Sequence, residues 1–150
     1  MGDRAGEAVT LTHIGLVYRG LGEPQRALQY YEQGPPILRE AGDRAEEAAT
    51  LTNIGAVYRG LGEPQRALEY YEQALPILRE VGNRAGEAVT RYNMAMIHHA
   101  RGELDRAVAE LEQVVELDRQ VGDPDLQSDT EMLHRVRQEL ASSNPGRGSR

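Results

Sequence analysis

Two sets of polar side chains recur forty residues apart. His13, Asn53 and Asn93 form one set; Arg19, Arg59 and His99 form the other. Thr12, Thr52 and Tyr92 share a third such position. An Asn carboxamide carries a donor and an acceptor, so it can pair with both groups of an extended peptide backbone. An Arg guanidinium can hold a carboxylate through two parallel hydrogen bonds. This is binding chemistry, and reaction chemistry has less to stand on. The serines are Ser128, Ser142, Ser143 and Ser149, all near the C-terminus and none in a Gly-x-Ser-x-Gly turn. No glycine loop is built to cradle phosphate, and the carboxylates read as helix-surface residues of a repeat. His98-His99 is half a metal site with no third ligand at useful spacing. His98 stands where the other copies have Tyr, so a packed histidine is expected there. No catalytic residue, cofactor or metal is expected, and the chain is not read as an enzyme.

The elements that position these side chains come from an internal repeat. Residues 42–81 form one complete unit, residues 2–41 copy it with eight changes in forty positions, and residues 82–121 keep fifteen of forty. A fixed period near forty is the mark of a helical solenoid. Each unit opens on Gly and then Asp or Asn: Gly2-Asp3, Gly42-Asp43, Gly82-Asn83 and Gly122-Asp123. The Gly ends one helix in a left-handed conformation and the Asp or Asn caps the next. In the central unit a first helix is predicted over about residues 44–60, with Ala48, Leu51, Ile54, Gly55 and Tyr58 on one face. After the turn Leu61-Gly62-Glu63-Pro64, a second helix runs to about Val81, its stripe formed by Ala67, Leu68, Tyr71, Ala74, Leu75 and Leu78. Pro76 lies inside it and predicts a kink. Repeat 1 reads Gly34-Pro35-Pro36 there, which predicts a bent or broken helix at Gly34, whereas Val114-Val115-Glu116 of repeat 3 predicts a straight one. Asp123-Pro124 opens a last helix, within residues 122–142, with the stripe Met132, Leu133, Val136 and Leu140, expected to cap the open end of repeat 3; residues 143–150 are expected to be disordered.

The formal charge of −7 is spread as −1, −3 and −2 over the three repeats and −1 over the remainder, so no segment is a basic patch and nucleic acid is not an expected partner. All 17 basic residues are Arg. The absence of Cys removes disulfides and thiolate chemistry and is compatible with a reducing, cytoplasmic setting. No run approaches the ~20 apolar residues of a membrane span, and the polar Gly2 to Glu7 segment is no signal peptide.

The pattern Leu51, Ile54-Gly55, Tyr58, Gly62, Ala67, Tyr71 and Ala74 resembles the tetratricopeptide repeat. Repeat 1 matches with Leu11, Ile14-Gly15, Tyr18, Gly22, Ala27 and Tyr31, with Gly34 at the last position. Repeat 3 departs further, reading Arg91, Met94-Ala95, His98, Gly102, Ala107, Leu111 and Val114. The unit of forty is similar to the long variant in Leu-Gly-Asn-repeat polarity adaptors, kinesin light chains and the sensor arrays of bacterial signalling ATPases. The resemblance implies an all-α fold, a right-handed α-solenoid of three helix pairs (2–41, 42–81, 82–121) plus a C-terminal capping helix. It also implies that the first helix of each pair lines a concave groove. His13, Asn53, Asn93, Arg19, Arg59, His99, Thr12, Thr52 and Tyr92 would then face that groove. The implied function is a protein-interaction scaffold holding a peptide or partner segment, with arginines suited to an acidic or C-terminal peptide. The lysines of the family's carboxylate clamp are absent. Two plainer readings stay open: Asn53 and Asn93 bonding a neighbouring helix, and Arg19 and Arg59 pairing with Glu23 and Glu63. The alternative function is self-assembly, through open repeat ends or a segment swap at Gly34-Pro35-Pro36. A chain opening at a repeat boundary also reads as part of a larger protein.

Overall fold

A computed structural model describes residues 3–144. All its regular elements are α-helices, and the chain divides into two compact units, Met1–Gly82 and Asn83–Arg150. The first holds α1 (Arg4–Gly20), α2 (Pro24–Tyr31), α3 (Gly34–Ala41), α4 (Arg44–Gly60) and α5 (Pro64–Glu80). The second holds α6 (Arg84–Ala100), α7 (Leu104–Val121) and α8 (Leu126–Ser143). The expected disorder of 143–150 falls mostly outside the described residues; Ser143 ends α8. No described helix is long and apolar enough to cross a membrane.

The capping signals act as their chemistry requires. The amides of Gly6, Glu46 and Gly86 donate to the side-chain oxygens of Asp3, Asp43 and Asn83 at 2.9, 3.2 and 2.8 Å. Gly42 and Gly122 close α3 and α7 at φ 77° and 66°, a region closed to most side chains. The last helix departs from expectation. Pro124 is not its first residue; Asp123 instead accepts from the amide of Asp125 in a turn, and α8 starts at Leu126.

Proline number decides which second helix breaks. Pro76 deprives only the carbonyl of Glu72 of its donor, and α5 runs uninterrupted from Pro64 to Glu80. Pro35 and Pro36 together deprive the carbonyls of Tyr31 and Glu32. The helix splits there, with Glu32 and Gln33 between α2 and α3. The break therefore falls two residues before Gly34, which is the first residue of α3. α7 carries no proline and is continuous.

The first and second helices of a pair meet on one large ring. A Cβ added at Gly15 would lie 2.7 Å from the ring of Tyr31, and one at Gly55 would lie 2.7 Å from that of Tyr71. Both tyrosines are fully buried. In the second unit Ala95 takes the glycine's position and Leu111 the tyrosine's, within one core cluster. Glycine with tyrosine and alanine with leucine are two solutions for the same volume. Beside this contact Tyr18 stacks on Tyr30 and Tyr58 on Tyr70 at 5.3 and 5.6 Å between centroids, with Arg26 over the Tyr18 ring and Arg66 over the Tyr58 ring. In repeat 3 these apolar positions become a polar set. Arg91 stands for Leu51 and Glu110 for Tyr70, and the buried guanidinium reaches Glu87 at 2.8 Å and Glu110 at 2.9 Å. His98 is buried and bonded to Glu103 at 3.0 Å, as a packed histidine would be.

Gly55→Ala is expected to cost about 1–3 kcal/mol through overpacking, and Tyr71→Leu in the same chain should recover part of it. A double-mutant cycle by denaturant unfolding checks this; purely additive losses would contradict the matched pair. Gly34→Ala should instead stabilise by about 0.5–1 kcal/mol. A Cβ there finds ordinary contacts, to Thr50 Cγ2 at 3.5 Å and Thr12 Oγ1 at 3.8 Å.

Candidate functional site

α4 buries Glu47, Ala48, Thr50, Leu51, Ile54, Gly55, Val57 and Tyr58, and leaves Thr52 and Asn53 half-buried and Arg59 exposed. On α1 the equivalent His13 and Arg19 are exposed. On α6, Tyr92, Asn93 and His99 are half-buried. The predicted residues of repeats 1 and 2 lie in one compact unit and those of repeat 3 in the other.

Their surroundings differ. Thr12 is only 5% exposed; its hydroxyl bonds the carbonyl of Ala8 and lies 3.3 Å from that of Thr50, so it adds packing and no accessible group. Thr52 donates to the carbonyl of Ala48. Arg19 and Arg59 both act on the ring of Tyr71. Burial pushes the Tyr71 hydroxyl up in pKa, and both guanidinium groups oppose the shift by their charge. That hydroxyl is buried and makes no hydrogen bond. Glu23 is 3.7 Å from Arg26, three residues on, instead of taking the expected pair with Arg19. His99 places Nε2 2.7 Å from a Glu139 carboxylate oxygen, so α8 already holds it.

Carboxylates expected at the surface turn out to be buried at three places. Glu47 is fully buried and held by Arg39 Nε at 3.0 Å and Arg44 Nη1 at 2.8 Å. Glu87 is buried against Arg91. Asp118, on α7, is 2% exposed, and its Oδ2 has no hydrogen-bond partner. Leu38 and Leu78, both buried, occupy its position in repeats 1 and 2; only a register-by-register comparison could have flagged it. Asp118 lines a recess of about 360 Å³ with Ala88, Val89 and Tyr92 of α6, Asp123 and Asp125 of the turn, and Ser128 and Asp129 of α8. Burial, then Asp129 and the two turn carboxylates, push its pKa up to about 7. Elsewhere, Glu32 accepts from the hydroxyls of Tyr58 at 2.7 Å and Tyr70 at 3.3 Å. Burial first, then the charge of Glu32, pushes Tyr70 up to about 12. Among the described residues no group of three or more His, Asp or Glu could hold a metal ion.

Asp118 sets a pH dependence. Its folded pKa of about 7 lies above the unfolded value of about 4. Its contribution is therefore fully present below about pH 4 and is lost as pH rises through about 7. Denaturant midpoints of the second unit should fall between about pH 5 and pH 8, and Asp118→Asn should flatten that fall. An equal fall in the variant would show that other groups cause it.

Family models described as tetratricopeptide repeat match residues 46–120, half of the chain, and residues 8–34. No curated protein matches the sequence. Among solved structures the chain is similar to the apo form of RapI, at 18% identity and TM-score 0.86, covering 96% of this chain and 40% of that one. It is similar to BtubC (BKLC) from P. vanneervenii, at 17% identity and TM-score 0.70, covering 93% and 66%. It is also similar to the nearly identical repeats of a putative kinesin light chain from Podosopora anserina, at 21% identity and TM-score 0.72, covering 92% and 68%. At these identities the likeness is one of fold. The chain spans 66% and 40% of the lengths of BtubC and RapI.

Proposed function

The chain belongs to the tetratricopeptide repeat family, whose repeats generally serve protein–protein interaction, and on that premise we propose that each of its two units holds an extended peptide segment on its first helices, α1 and α4 in one unit and α6 in the other. One observation carries this reading. A carboxamide recurs at the same register position in Asn53 and Asn93, half-buried on helix faces turned away from the pair's core. An amide so placed can accept from a backbone N–H and donate to a backbone C=O at one point of an extended strand. The charges of Arg19 and Arg59 both act on the Tyr71 hydroxyl. Guanidinium groups in that neighbourhood favour an acidic side chain or a C-terminal carboxylate in the first unit. Catalysis plays no part in this reading, and the setting it suits is cytoplasmic.

A second reading, self-association, has its own observation. Val17 of α1 is 61% exposed, whereas its counterpart Val57 of α4 is 4% exposed. Leu16 and Leu21 are exposed with it. That face is of the kind another repeat covers, whether from a preceding segment or a second copy. Light scattering across a wide concentration range decides between them: growth in mass supports self-association, and an unchanging monomer removes it. Replacing Gly34-Pro35 by Ala-Leu tests the segment swap, since an oligomer that persists unchanged does not depend on the break.

The peptide reading is tested with Asn53→Ala and Asn93→Ala together. Affinity for peptides selected from a random library should fall about tenfold, the scale of two lost amide hydrogen bonds, with helicity by circular dichroism unchanged. Unaltered affinity would remove the groove assignment.

A further inference from the structure

We infer that the recess bounded by α6, α7 and α8 is a binding site for one cationic side chain, lysine or arginine, of a partner segment. Four carboxylates converge on it: Asp118 from α7, Asp123 and Asp125 from the turn, and Asp129 from α8. No Arg or His lines it, and the groups facing Asp118 from α6 are Ala88, Val89 and Tyr92. Asp118 is the decisive member. It is nine-tenths buried and more, it lines the recess, and Oδ2 is without a donor. A carboxylate oxygen so buried is costly unless a proton or a cation meets it.

The other glutamate and aspartate side chains buried in this molecule show the contrast. Glu47 meets the guanidinium groups of Arg39 and Arg44, and Glu87 meets that of Arg91. Asp118 has only Asp129, Asp123 and Asp125 around it, and each raises its pKa further. The rim suits the stem of a long basic side chain. Val89 is an exposed aliphatic on α6, and Tyr92 one turn on is half-buried beside it. About 360 Å³ accommodates a guanidinium or ammonium with its methylenes. Val89 and Tyr92 lie on the same face of α6 as Asn93, so a segment lying on that face would pass the recess. The inference rests on the proposed function in that respect alone, and it gives the second unit a charge preference opposite to that of Arg19 and Arg59. Two other occupants compete. A proton shared between Asp118 and Asp129 would satisfy the pair by itself. A divalent ion would need ligands that the described residues do not assemble.

The probe is the capped tripeptide acetyl-Ala-Arg-Ala-amide, with its neutral citrulline counterpart and calcium chloride as separate titrants. Each is added to the full chain and followed by amide proton–nitrogen correlation spectra. At about pH 8, where Asp118 is mostly ionised, the arginine peptide should shift the amides of Val89, Tyr92, Asp118, Ser128 and Asp129 saturably. The citrulline peptide should not. Asp118→Asn, which keeps the shape and removes the charge, should weaken the arginine peptide about tenfold, the scale of one lost charge-assisted hydrogen bond. Lowering the pH to about 5.5 should weaken it as well, since the protonated pair no longer needs the cation. The inference is overturned by no saturable shift with the arginine peptide, by equal shifts with citrulline, by an Asp118→Asn variant that binds as tightly, or by calcium saturating these amides where the arginine peptide does not. Because the probe needs no contact with Asn53 or Asn93, its failure leaves the groove reading standing. An Asn53→Ala, Asn93→Ala chain that loses library peptides but keeps the probe would remove only the groove.

Discussion

The distance between the two helices of a pair is fixed by one ring. Tyr31 and Tyr71 are fully buried, and each ring lies where the Cβ of Gly15 or Gly55 would otherwise be. The glycine costs the first helix up to about 1 kcal/mol of intrinsic propensity, and the buried ring more than offsets it through apolar area removed from water. The same constraint explains the third pair, where a smaller Leu111 is met by a larger Ala95. Everything the first helix shows to solvent follows from this contact. Once Gly55 faces Tyr71, Asn53, two residues back, must point away from that ring, whereas Arg59, one turn on, stays on its side.

The polar interior obeys a second constraint, that a buried charge needs a partner. Glu47 meets it through Arg39 and Arg44, and Arg44 goes on to Glu80 at 3.1 Å, so α3, α4 and α5 are tied at one end. In repeat 3 three apolar or aromatic positions changed together. Arg91, His98 and Glu110 replace a leucine and two tyrosines, and each finds a polar partner. Divergence there is therefore an exchange of a stacked aromatic pair for an ion-pair network. A fourth exchange, Asp118 for a leucine, leaves Oδ2 without a hydrogen-bond partner, which is why it stands out as chemistry.

The split second helix of repeat 1 shows how little separates a tolerated proline from a disruptive one. α5 survives one missing backbone bond at Pro76. Two missing bonds in succession end α2. Glu32, at the break, then turns its carboxylate to the hydroxyls of Tyr58 and Tyr70. The second pair is thereby fastened to the first at the point where the helix fails.

The sequence by itself determined the helices, their caps and the class of fold, because these depend on contacts three or four residues apart and on a forty-residue register that can be counted. It also turned His13, Asn53 and Asn93 away from the contact at Gly15, Gly55 and Ala95, since two residues are more than half a helical turn. It could not tell that Thr12 is buried against Thr50, that His99 is held by Glu139, or that the break falls at Glu32-Gln33. Those outcomes depend on what a neighbouring helix presents. The recess around Asp118 was least legible of all. Its carboxylates come from α7, α8 and the turn between them, and an aspartate at a leucine's position in a helical stripe looks like a surface residue until the opposing helix is in place. Local periodicity fixes which way a side chain points; only tertiary packing decides whether water, a cation or another carboxylate meets it there.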